Sequence, residues 1–261
     1  MRTRPSSGQQ VRTADGLVWP WYRYAPPVTE SATFDPLAGD FGDEAYREAV
    51  IDLLGVIAYG ELSAFERMVD DAEMAPNLQA KMALAGMAAT EFGHIQPLLD
   101  RISALGADPV EAMQRFEKPF DDFHAHTAPR DWLEGLIKAY VGDGLAADFY
   151  REVAAFLDKQ TRDLIVGSLA DEGHAAFAVE QVRAAIAADP RVGGRLALWG
   201  RRLMGEALSQ AQRTAADRDS LTALLAGGID RPGMDLASIS RMFSRITERH
   251  AERMSALGLD A

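Results

Sequence analysis

Thr90–Glu91–Phe92–Gly93–His94 sets a carboxylate and an imidazole three positions apart, and side chains at that spacing project from one side of a helix. Leu84, Met87, Ala88, Ile95 and Leu98 share that side. Glu91 and His94 therefore point into a core rather than to water. A buried carboxylate with no partner costs several kcal/mol, so this segment calls for a cation, a hydrogen-bond donor or a metal ion at that spot.

Working outward, Ala170–Asp171–Glu172–Gly173–His174 repeats the pair beside Leu164, Ala175 and Ala178. Glu61 follows Gly60 on a face made of Leu54, Ile57, Ala58, Ala64, Phe65 and Met68, and Asp143 follows Gly142 on a face with Leu136, Ala139, Tyr140, Ala146, Ala147 and Tyr150. Glu61 to His94 is 33 positions and Asp143 to His174 is 31, so the halves form an internal repeat. A site for two metal ions in a helical bundle takes one carboxylate from each of two helices and a carboxylate-x-x-His pair from each of the other two. Glu61, Glu91, His94, Asp143, Asp171 and His174 fill those six places. Oxygen and imidazole donors without sulfur suit iron or manganese.

Other polar residues are set aside. Asp148 lies five positions after Asp143 and Glu172 two before His174, so neither shares the inward face. His124 and His126 in a polar connection, and His250 on an Arg-rich helix, read as solvated. Tyr59, Tyr140 and Tyr150 read as core aromatics, each able to hydrogen-bond a neighbouring carboxylate.

Apolar residues at three- and four-residue steps predict helices over residues 43–72, 78–105, 131–157 and 161–187, joined by a short link, a long connection over 106–130 with Pro119 and Pro129, and another short link. That is the connectivity of an all-α ferritin-like four-helix bundle, with the crossover between helices 2 and 3. Residues 43–190 form the bundle, and 191–261 supply additional helices that cap it. Residues 1–42 read as an extended arm, whose Trp19, Trp21, Tyr22 and Tyr24 are expected to strap onto the bundle or a partner subunit.

The 261 residues are 48% apolar and contain no cysteine, which removes disulfides, thiolate metal sites and cysteine nucleophiles. No stretch approaches the ~20 apolar residues of a membrane span, so the reading is cytoplasmic, with no membrane partner. The net charge of −12 repels phosphate backbones. Arg241, Arg245, Arg249 and Arg253 recur every fourth residue with Glu248 and Glu252 between them, which reads as a solvated face.

The stretches Ala58–Tyr59–Gly60–Glu61–Leu62, Thr90–Glu91–Phe92–Gly93–His94 and Ala170–Asp171–Glu172–Gly173–His174 resemble the ferritin-like di-iron superfamily. Across residues 43–225 the chain looks most like the actinobacterial-type proteins similar to tRNA 2-methylthio-N6-isopentenyladenosine hydroxylase. The resemblance implies two iron ions that activate dioxygen to hydroxylate an unactivated carbon: a monooxygenase, with a separate electron donor. Asp143 and Asp171 depart from the superfamily pattern by standing where glutamates are usual, each one methylene shorter. The net charge favours a small apolar substrate over tRNA, and a homodimer is compatible with the aromatic arm. The alternative is a ferritin-like protein that binds or oxidises iron, or a metal-free structural or interaction module.

Overall fold

The computed structural model describes residues 44–169, 174–226 and 234–261. The expected arm over 1–42 lies outside them. Ten helices and no strand occur among the described residues.

The first hairpin follows the apolar pattern closely. Helix α1, Glu44–Ala72, and helix α2, Leu78–Ala104, pack along each other through Leu54, Ile57, Ala58, Leu84 and Leu98, all fully buried. Asn77 caps α2 by accepting a hydrogen bond from the Ala80 amide at 2.9 Å, and Gly106, at φ 82°, takes the left-handed turn beyond its end.

The connection over 106–130 holds two helices that its polar composition concealed: α3, Pro109–Gln114, and α4, Glu117–His126. Asp108 caps α3 by accepting from the Val110 and Glu111 amides, and a proline in its first turn suits that end. α3 lies so close under α1 that a Cβ on Gly55 would stand 2.6 Å from the Ala112 carbonyl oxygen.

Helix α5, Trp132–Ala154, is capped by Asp131 and packs against α1. The expected fourth helix over 161–187 is described as α6, Lys159–Ser168, and α7, His174–Ala188. Buried Arg101 ties α2 to α6 through Thr161 and Gln160. Together α1, α2, α5 and α6–α7 make the ferritin-like bundle.

The last three helices, α8 Arg191–Asp217, α9 Asp219–Ala226 and α10 Leu236–Ala256, share the bundle's core rather than merely covering it. Leu196, Leu203, Met242, Ile246 and Met254 join Leu84, Leu136 and Val141 in one apolar cluster. This burial corrects two readings and adds to a third. Asp148, expected to face outward, is 2% exposed because α10 lies over its side of α5. The arginine row keeps Arg241 and Arg245 exposed, as a solvated face would, but it is also an ion-pair ladder onto α5: Arg253 reaches Asp148 at 2.6 Å, Arg245 reaches Glu152 at 2.5 Å, and Arg249 lies within 3.5 Å of Asp148 and 3.4 Å of Glu152. His250, expected to be solvated, is buried, since it continues the inward row Met242, Ile246, His250, Met254.

Asp52, also buried, fastens the near end. It accepts hydrogen bonds from Arg115 at 2.8 Å and from Ser220 at 2.6 Å, joining α1 to the α3–α4 turn and to α9.

Candidate metal centre

α1 and α2 cross with their apolar faces together, so the acids embedded in those faces must meet. Glu61 and Glu91 are 9% and 7% exposed, well below what lone carboxylates tolerate. His94 Nδ1 lies 3.6 Å from Glu61 Oε2 and 3.8 Å from Glu91 Oε2. One donor atom from each of the three residues fits within 4.8 Å of the other two.

Burial pushes the Glu61 carboxyl up to about 7; a hydrogen bond from Glu91 opposes the shift and the charge of Asp143 adds to it. Tyr150 is driven well above its ordinary value, first by burial and then by the negative charges of Glu61, Asp143 and Glu91, so it stays a neutral phenol. Gly60 admits it: a Cβ there would stand 3.3 Å from the Tyr150 hydroxyl.

Whether the residues suit a metal can be read from the imidazole. His94 Nδ1 is buried and has no hydrogen-bond partner, although two carboxylate oxygens lie just beyond hydrogen-bonding range. An ion shared among the three would use that lone pair and both acids. The donor set of two carboxylates and one imidazole is one that iron and manganese accept.

Of the six residues expected at the site, the structure brings Glu61, Glu91 and His94 together. Asp143 is exposed by area, yet it lines the same cavity as Glu61 and Glu91, and its charge reaches Glu61. Asp171 lies outside the described residues. His174 opens α7, and its side chain lies outside them too.

The three acids line a cavity of about 290 Å³ that follows α1 from Leu53 to Asp71, about 27 Å at the helical rise. α5 forms the facing wall, and α4, α8 and α9 close it with Phe120, Leu208, Ala211 and Leu224. The lining is mainly apolar. Sequence reasoning missed its polar exceptions. Burial raises Asp71 to about 6, against the pull of Lys138. It lowers Lys138 to about 8, and the Lys138 ammonium donates to the Thr127 carbonyl at 2.8 Å. His124, expected in solvent, is mostly covered, shares a hydrogen bond with Ser63 at 2.6 Å and is held down at about 3 by burial and by Lys138 and Arg67. Gln210 on α8 is buried too. Asp71, three residues after Met68 on α1, could have been found from periodicity; Gln210 could not, because its partner wall is distant in the chain.

A helical bundle that carries carboxylates and a histidine from adjacent helices into its interior, beside an apolar cavity, is a ferritin-like metal-site architecture. The chain belongs to the family described as Ferritin-like domain, actinomycetes, whose profile matches residues 44–228. A comparison with curated proteins returned no significant match.

Proposed function

We propose that the protein is a non-haem di-iron oxygenase that hydroxylates an apolar substrate. The buried, unpartnered His94 Nδ1 between two buried carboxylates, at the wall of an apolar cavity, carries this reading. Glu61, Glu91 and His94, with Asp143, Asp171 and His174, would hold the two ions. The iron pair, when bound and reduced by a separate donor, supplies activation of dioxygen for insertion into a carbon–hydrogen bond.

The chain's own part is confinement. Leu53, Val56, Phe149 and Leu224 line the cavity that the acids share with apolar surface, and a low-dielectric wall strengthens electrostatic interactions beside it. Tyr150 keeps its proton beside the cluster and is placed to hold a hydrogen bond to it. The net charge of −12 opposes a bulk tRNA substrate and favours a small apolar one, so the tRNA-hydroxylase resemblance extends to the chemistry more than to the substrate. Binding of tRNA at two salt concentrations checks that point.

The decisive experiment mixes the anaerobic protein, loaded with two ferrous ions, with oxygenated buffer in a stopped-flow spectrometer. The oxygenase reading expects dioxygen consumption, abolished in His174→Ala. Two irons bound with an unchanged spectrum over minutes would leave an iron-binding protein without oxygenase activity.

A further inference from the structure

The cavity contains a hydrogen-bond donor with no acceptor among the described residues. Gln210 is 7% exposed, lines the cavity, and its Nε2 is buried without a partner among the described residues. A buried amide hydrogen left unsatisfied costs about as much as a lost hydrogen bond, which in a native protein points to an acceptor beyond the described residues. Around it on α8, the wall is Ala207, Leu208 and Ala211.

Its level along the cavity follows from contacts at both ends of α8. Arg195 pairs with Asp131, and Trp199 Nε1 donates to the Glu134 carbonyl, at the first turn of α5. Just past the other end of α8, Ser220 reaches Asp52 on α1, about 9 Å along the helix from Tyr46, whose hydroxyl accepts from the Asp158 amide beyond the end of α5. α8 thus runs parallel to α5, and at the helical rise Gln210 comes level with roughly Leu145, within about a turn of Asp143.

We propose that the cavity binds an elongated apolar molecule bearing one uncharged carbonyl group, whose oxygen accepts a hydrogen bond from Gln210 Nε2. The length and apolar lining select an alkyl or isoprenoid chain. The lone amide donor selects a carbonyl acceptor. A carboxylate is disfavoured at this point, because a neutral donor on an apolar wall offers a buried charge no counter-ion. That this ligand is the substrate rests on the oxygenase reading above; its binding does not.

The test is calorimetric, on the full-length chain treated with chelator, using decanamide and decanoate as probes that share one chain and differ in head group. Wild-type protein is expected to bind decanamide at least about tenfold tighter than decanoate, the order of one satisfied hydrogen bond plus the avoided burial of charge. Gln210→Leu is expected to weaken decanamide about tenfold, and Gln210→Met, which keeps the length and carries no donor, to do the same. Ala207→Phe, which fills the cavity, is expected to abolish binding while circular dichroism stays helical. No decanamide binding by wild type, equal affinity for decanoate, undiminished affinity in both Gln210 variants, or undiminished binding in Ala207→Phe would each overturn the proposal. Because metal is absent, a failed oxygenase assay leaves this result untouched, and a failed titration leaves the metal site untouched.

Discussion

Two groups of buried acids lie on opposite sides of the same bundle and meet burial in opposite ways. On the outer side of α5, Asp148 and Glu152 face three arginines from α10, with Arg253 2.6 Å from Asp148. On the inner side, Glu61 and Glu91 lean on each other and on His94, and no lysine or arginine stands against Glu61 among the described residues. The first group is closed: its charge is answered within the chain, so it holds α10 in place. The second is open, since its burial raises Glu61 rather than lowering it. A chain that places charge-balancing arginines so accurately in one site and withholds them in the other leaves room there for a cation from outside.

Breaking the closed group carries the largest expected cost. Asp148→Ala strands Arg253, whose side chain is 15% exposed, and should lower unfolding free energy by about 3 kcal/mol, measured by urea denaturation. Glu61→Gln in chelated protein, by contrast, is expected to change stability by no more than about 1 kcal/mol, toward stabilisation, because a neutral isostere sheds a desolvated charge. Equal losses in both variants would erase the distinction.

The open group is sharpened by metal content. His94→Ala should lose more than about tenfold in affinity for iron or manganese, while His250→Ala, equally a buried histidine but placed among methionines of α10, should retain wild-type content by elemental analysis.

Asp71 lies between the extremes, with Lys138 nearby to oppose the effect of its burial. Its folded value is raised, so its contribution to stability is fully present below about pH 4 and is lost as the pH rises through about 6. Asp71→Asn should remove this part of the pH dependence, about 1–2 kcal/mol between pH 4 and 7 after allowance for solvent screening, in parallel denaturation series.

The smallest effect separates two glycines. A Cβ on Gly144 would meet the Arg253 side chain at 2.6 Å, whereas Gly142 has nothing within 4 Å. Gly142→Ala is expected to raise the melting temperature through about 0.5–1 kcal/mol of helix propensity, and Gly144→Ala to lower it by disturbing the ladder.

Much of this was legible in the chain. The three- and four-residue steps located α1, α2 and α5 within a few residues, and the Glu91–His94 pair with Glu61 emerged from the same periodicity, because an acid on an apolar stripe is visible locally. What was not legible depends on neighbours far along the chain. Asp148 faces away from Asp143 on α5, a side that four helices alone would leave in water; only α10 covers it. His250 takes a place in an apolar row that Arg241, Arg245 and Arg249 disguised. α3 and α4 hid in polar composition because α4 buries none of its residues, while Phe116 between them is fully buried.

The Asp52 clasp sets a timetable for synthesis. Its hydroxyl partner, Ser220, lies 168 positions downstream; at ribosomal rates of about 5–20 residues per second, that partner emerges roughly 10–30 seconds after the aspartate. For that interval a nascent chain has an acid and an apolar trough on α1 with no α9 to cover them. A ribosome stalled between α8 and α9 would therefore display that trough uncovered, and the clasp closes only once Ser220 has emerged.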